Sequence, residues 1–196
     1  MEIDELFKIL LSKKPSIEII ENEDIIFNLI PELKKCKGFN QNNKWHPYDV
    51  YVHILHVIDY VPNNLILRLT ALFHDIGKPD TYTEDENGIG HFYNHWLVSQ
   101  KIFDAFAVKY NLDKKLKNIV SNLIYYHDIN VGKLDENGLN NLVAIFTKEE
   151  LIMLFEFKKA DLLSQNSEFH YLLEDYDEQK KKILKYKACL LYEIKK

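Results

Sequence analysis

The sequence predicts an all-α protein, a helical bundle with room for a small hairpin only in the 81–91 loop. Three observations carry this. Apolar residues recur at helical spacing through most segments. No strong alternating strand pattern, internal repeat or low-complexity tract interrupts them. The few glycines and prolines fall between the periodic segments, as punctuation. A chain of 196 residues, 46% hydrophobic and 28% charged, is globular in composition and long enough to bury a substantial core.

The elements follow in order. Ile3 to Leu11 reads as a short first helix, closed by Lys13-Lys14-Pro15. Ile17 to Leu33 holds one or two helices, because Pro31 forces a break or a new start. Cys36 to His46, with Gly38 and three asparagines, reads as a loop. After Pro47, a good first-turn residue, a helix runs from Tyr48 to about Val61, where Pro62 ends it. Its apolar face is Val50, Ile54, Val57, Ile58 and Val61, with His53 beside that face and His56 three residues on. Ile66 to Phe73 is a buried helix; Gly77 suits a left-handed C-cap and Pro79 a stop. His74 and Asp75 then lie in the last turn of that helix.

Thr81 to Gly90 is turn-rich, and His91-Phe92-Tyr93-Asn94-His95-Trp96 leads into a helix ending near Tyr110, with His95 in its first turn. Another helix spans about Asp113 to Tyr126, with His127-Asp128 just past it, and Gly132 with Asp135 to Gly138 reads as a loop. Thr147 and Glu150 form a capping box that opens a helix through about Leu163, placing Asp161 in its last turns. Tyr171 to Lys196 is a long charged helix whose run Lys180-Lys181-Lys182 is a solvated face.

Composition also bounds function. Cys36 and Cys189 are isolated, with no metal or disulfide spacing, which fits a reducing cytoplasm. No apolar run reaches the ~20 residues of a bilayer span, and the charged start Met1 to Glu5 is no signal peptide, so no membrane partner is expected. A net charge of −5, with Arg68 the only arginine, argues against a dedicated nucleic-acid surface.

Six residues form a constellation: His53, His74, Asp75, His95, His127 and Asp161, from five segments. Each lies near a helix end or on a core-facing helix, the way bundles build metal sites from inward-pointing side chains. Taken singly, a His on an apolar face is more often a hydrogen-bonded core residue, and a His-Asp pair can simply cap a helix. The order His…His-Asp…Asp resembles the HD superfamily of metal-dependent phosphohydrolases. More narrowly, the chain resembles the HD domain of bacterial tRNA nucleotidyltransferases of the CCA-adding type. The matching text is Pro31-Glu32-Leu33, Gly38-Phe39-Asn40-Gln41, His46 to His53, Leu72 to Pro79, His91 to His95 and Lys159 to Leu163.

That resemblance implies an HD domain over 24–165, flanked by an N-terminal helical extension (1–23) and a C-terminal helix (166–196). It implies that His53, His74, Asp75 and Asp161 hold a first ion. His95 and His127 match positions that hold a second ion in two-metal subfamilies, with Asp75 bridging. Where the family commonly has Gly-His-Glu, this chain has Asn94-His95-Trp96, so the glutamate is missing. No Gly-Gly-based nucleotidyltransferase head precedes the HD region, so the chain is expected not to add nucleotides itself.

Mixed His and Asp ligation suits Mn²⁺, Fe²⁺, Co²⁺, Ni²⁺ or Zn²⁺, one or two ions, better than Mg²⁺. Such a centre lowers the pKa of water towards ~7 and neutralises phosphate charge. The expectation is therefore a metal-dependent phosphohydrolase acting on nucleotide-like phosphomonoesters or cyclic phosphodiesters. The alternative is a degenerate module binding RNA, a nucleotide or a protein. Asp75, Lys78 and Asp128 are the candidate catalytic groups; Lys78, His91 and Tyr93 are the candidate substrate contacts. Each has a plainer role open to it: charge complementarity at a helix end for Lys78, a helix-end carboxylate for Asp128, surface or pocket lining for His46, His56 and His91. Tyr93, Trp96, Tyr125 and Tyr126 either stack on a base or belong to the core.

Overall fold

The least polar stretch of the chain forms the centre of the molecule. In the computed structural model, which describes residues 3–193, the helix α6 (Leu65–Phe73) is buried at every position from Leu67 to Phe73. Around it pack α1 (Ile3–Leu10), α5 (Val50–Tyr60), α8 (His95–Lys109), α9 (Lys114–Tyr126) and α11 (Lys148–Leu163). Between them run α2 (Pro15–Glu21), α3 (Glu23–Leu29), α4 (Pro31–Cys36) and the single turn α7 (Lys78–Thr81). A second apolar cluster joins Leu123, Val131, Leu142, Phe146, Leu154 and Ile183, under α10 (Glu136–Ile145) and α12 (Leu172–Glu193). The all-α expectation holds. The only strands among the described residues, β1 (Thr83–Glu84) and β2 (Gly90–His91), form an antiparallel hairpin in the 81–91 loop.

Several boundaries differ from the sequence reading. Three helices, not one or two, occupy residues 15–36, because Asn22 both ends α2 and starts α3. Its side-chain amide donates to the Glu18 carbonyl at 2.8 Å, a local bond that competes with helix continuation. Pro15 opens α2 instead of closing α1. Asp49, not Pro47, starts α5: its carboxylate accepts the Val52 N–H at 2.7 Å. Asp135 to Gly138 is no loop but the cap and first turn of α10, with Asp135 accepting the Gly138 N–H at 2.8 Å. The capping box at Thr147 and Glu150 is present as expected. Of the terminal lysine run, Lys181 and Lys182 are exposed and Lys180 is half-buried; the end of that expected helix, residues 194–196, lies outside the described residues.

Gly77 is not a left-handed C-cap. Its φ is −84°, and it precedes α7, with Pro79 inside that turn. Glycine is required here for space: a Cβ would lie 2.7 Å from the Ser99 nitrogen and 2.8 Å from the His95 oxygen. The His74-Asp75 turn can therefore press directly on the start of α8. Arg68 is also structural: it is buried in α6 and donates to the carbonyls of Leu10 and Ser12.

Candidate metal centre

The centre is built from helix ends. His74 caps α6 and His127 caps α9; each donates Nδ1–H to the carbonyl three residues back, Ala71 at 2.9 Å and Ile124 at 2.7 Å. His95, the first residue of α8, makes the same bond to Phe92 at 2.9 Å. Asn94 turns the chain into that helix at φ 62°, a left-handed conformation that asparagine tolerates. Carbonyls at the helix C-termini lack intrahelical partners, so the imidazoles satisfy groups otherwise left bare.

His53, on α5, is held differently. The Ser164 hydroxyl gives its single proton to the Asp161 carbonyl at 2.7 Å, so it can only accept from His53 Nδ1, 3.0 Å away. In the neutral ring all four histidines therefore carry their proton on Nδ1 and present a bare Nε2.

Those four Nε2 atoms converge in pairs, His53 to His74 at 3.3 Å and His95 to His127 at 3.2 Å. Two lone pairs at that distance repel unless a cation or proton lies between them. Asp75 joins the pairs. Its Oδ2 is 3.2 Å from His74 Nε2 and 3.3 Å from His53 Nε2, while its Oδ1 is 3.2 Å from His95 and 3.8 Å from His127. Asp161 Oδ1 faces His53 Nε2 at 3.0 Å and His74 Nε2 at 3.7 Å, yet it is buried with no hydrogen-bond donor. Asp128, its side chain half exposed, closes the second pair at 3.4 Å from both His95 and His127.

The triads His53–His74–Asp75 and Asp75–His95–His127 each bring three donor atoms within 4.8 Å of one another, close enough to hold a metal ion. Bare imidazole nitrogens, an orphaned carboxylate oxygen and orientation through the far ring nitrogen are what a divalent transition ion needs. The electrostatics agree. Burial opposes charging His74, but Asp75 and Asp161 outweigh it and raise its pKa to about 10, so without a metal the cluster draws in a proton. Burial also works against ionising Asp75 and Asp161; neighbouring imidazoles, with Lys78 for Asp75, nonetheless hold both well below the usual carboxylate range. Burial lowers His127 to about 4 and keeps that ring neutral, as a ligand must be.

The centre floors a cavity of about 320 Å³, open between the 43–46 loop and the hairpin. Lys78 lines it, but its ammonium is committed within the chain, 2.6 Å from Asp75 Oδ2, 2.8 Å from Gln41 Oε1 and 3.3 Å from His46 Nε2. His91 and Tyr93 line the hairpin side, stacked at 5.4 Å and nearly parallel. His46 lines the opposite side, while His56 packs on Tyr48, outside the cavity. All six residues of the constellation are thus brought together, with Asp128 beside them.

Three supporting roles escaped the sequence reading. Ser164 lies 111 positions from His53, and Gln41 lies 37 from Lys78, so no local spacing links either pair. Lys158, buried on α11, donates to the His127 carbonyl at 2.7 Å and sits over the Tyr176 ring at 5.0 Å. Only an unusual lysine between apolar positions, Phe157 and Ala160, could have hinted at it.

Comparison with known proteins agrees with this geometry. The HD domain family matches residues 45–164, a span containing every residue of the centre. The Multifunctional CCA protein of Methylobacillus flagellatus is 39% identical over 83 residues, 39% of this chain and 20% of the relative. That of Dechloromonas aromatica is 26% identical over 154 residues, 76% of this chain and 36% of the relative. The CC-adding tRNA nucleotidyltransferase of Thermus thermophilus is 30% identical over 133 residues, 63% of this chain and 30% of the relative. The chain therefore spans between a fifth and just over a third of the length of these relatives. Family match and the paired His-Asp clusters at the helix ends lead to one conclusion: the chain belongs to the HD domain family.

Proposed function

We propose that the chain is a metal-dependent phosphohydrolase of the cytoplasm, acting on nucleotide-like phosphomonoesters or cyclic phosphodiesters. One observation carries the reading: four imidazoles locked with Nε2 bare, converging on both oxygens of Asp75 at the floor of an open cavity. A purely structural cluster has no need of such access.

A divalent ion held by His53, His74, Asp75 and Asp161, with a second held by Asp75, His95 and His127, would neutralise a phosphate and make water a nucleophile near neutral pH. The chain's own residues do the rest. Asp75 would serve both positions, its Oδ2 facing one histidine pair and its Oδ1 the other, and Lys78 fixes the Oδ2 side while offsetting its charge. Asp128, the most exposed carboxylate at the centre, is placed to accept a proton at the cavity mouth. Lys78 acts as a positioning residue, because its donors are already spent on Asp75, Gln41 and His46.

The relatives' names bring tRNA forward as a candidate substrate. Against a long RNA stand the net charge of −5 and an only arginine that is buried against Leu10 and Ser12. The test is turnover of a 2′,3′-cyclic mononucleotide, a nucleoside monophosphate and a tRNA, each with Mn²⁺, Co²⁺ or Ni²⁺, at low and high salt. The small esters are expected to turn over with weak salt dependence and to stop with chelator. A tRNA preference that collapses as salt rises would overturn the substrate assignment. No turnover by a metal-loaded chain would overturn the enzyme.

A further inference from the structure

A second hollow, of about 330 Å³, adjoins the metal cavity. Its walls are Trp96, Tyr125, Tyr126 and Ile129, with Asp128 at its mouth. The two spaces are neighbours, with Trp96 and Asp128 lining both. Both walls are fixed by the centre itself. Trp96 follows His95 on α8 and meets that imidazole edge-to-face at 5.5 Å; Tyr125 and Tyr126 end α9, directly before His127. The two tyrosine rings pack edge-to-face at 4.7 Å.

The chemistry of this hollow is the opposite of the centre's. No cationic side chain lines it, and its one charged group is a carboxylate, so it rejects phosphate. Three aromatic rings and an isoleucine favour a flat ring system. A ligand that satisfies both spaces carries phosphate at one end and an aromatic heterocycle at the other. Trp96 forms a wall of this hollow directly beside His95.

Building on the nucleotide reading of the centre, we propose that the hollow of Trp96, Tyr125, Tyr126 and Ile129 is the nucleobase subsite. The enzyme then selects nucleotides over simple sugar phosphates by stacking the base beside the second pair of histidines.

The test is calorimetric binding of AMP and of ribose 5-phosphate to the Mn²⁺-loaded chain and to two variants, Tyr125→Leu and Trp96→Leu. The variants lie on different helices, so misfolding of one leaves the other informative. The wild type is expected to prefer AMP, and the AMP to ribose 5-phosphate affinity ratio to fall at least about fivefold in each folded variant, the low end for one base–aromatic stack. An unchanged ratio in both overturns the subsite, as does a ratio lost only on Trp45→Leu, which would put the base against the stacked Trp45 and Phe169 on the other wall. Failure of the centre as a phosphate site looks different: neither phosphate binds. Adenosine binding to the chelated chain then decides, with weakening by Tyr125→Leu supporting the subsite and absence of binding overturning it.

Discussion

Ser164→Ala isolates the most specific feature of the centre, the fixed tautomer of His53. His53 and Ser164 are 1% and 2% exposed, so removing the hydroxyl leaves the Nδ1–H buried without an acceptor from the protein. The Asp161 carbonyl keeps its bond from the Ser164 N–H at 3.0 Å, so the end of α11 should survive. An orphaned buried donor costs about 1–3 kcal/mol, and the ring can escape it only by moving its proton to Nε2 or by turning, both of which spoil the ligand. Loss of such an outer partner typically weakens metal affinity about 10–100-fold, which matches that cost. The loss should fall on one position only, because His95 and His127 are held by the carbonyls of Phe92 and Ile124, untouched by the change. Titration of Co²⁺ or Mn²⁺ against a competing chelator, with bound ions counted, should show one weakened site and one intact. Ser164→Thr, which keeps a hydroxyl, should restore most of the affinity. Equal weakening of both sites, or no change, would refute the tautomer argument.

Asp75→Ala should empty both positions at once, since its two oxygens serve different histidine pairs; elemental analysis with an unchanged ion content would contradict the bridging role. Gly77→Ala should destabilise the chain by about 1–3 kcal/mol in denaturant unfolding, because the new methyl meets α8 backbone 2.7 Å away. A neutral result would mean that α7 and α8 can separate freely. Metal should stabilise the fold by about 2.7 kcal/mol at a hundredfold excess over Kd, or about 5–11 °C in Tm for a chain of this size. A Tm unmoved by chelator, with the ions shown to have left, would count against the centre as a folded-state site.

The fold was legible where apolar periodicity and punctuation agreed. The segment 66–73 is apolar except at Arg68 and Thr70, as a helix buried from Leu67 to Phe73 requires, and Thr147 with Glu150 announced α11 through local bonds alone. The helix at 136–145 was not legible, because Asp-Glu-Asn-Gly suits a turn as well as a capped first turn. Leu139, Leu142 and Val143, buried beside α12, decide between them. Gly77 misled for a related reason: the residue signals freedom of φ, but here the need is room for α8. The six His and Asp residues of the centre stood out because each donor type is chemically distinctive and sits near a helix end or on a core-facing helix. Their supports did not, because a serine, a glutamine and a lysine acquire roles only from partners distant in sequence.

These two kinds of residue explain how a metal centre can be assembled from helix ends in the first place. A helix C-terminus leaves carbonyls bare, and the aligned peptide dipoles make that end negative. His74 and His127 answer the first problem by donating to Ala71 and Ile124, which turns their Nε2 lone pairs inward. The inward turn creates a second problem, since lone pairs then face one another beside Asp75 and Asp161, at two helix ends that are themselves negative. Only positive charge resolves it, and the chain contributes little: Lys78 beside one oxygen of Asp75, and a proton on His74. The arrangement that completes each helix is therefore also the one that demands a cation, so folding and metal binding rest on the same hydrogen bonds.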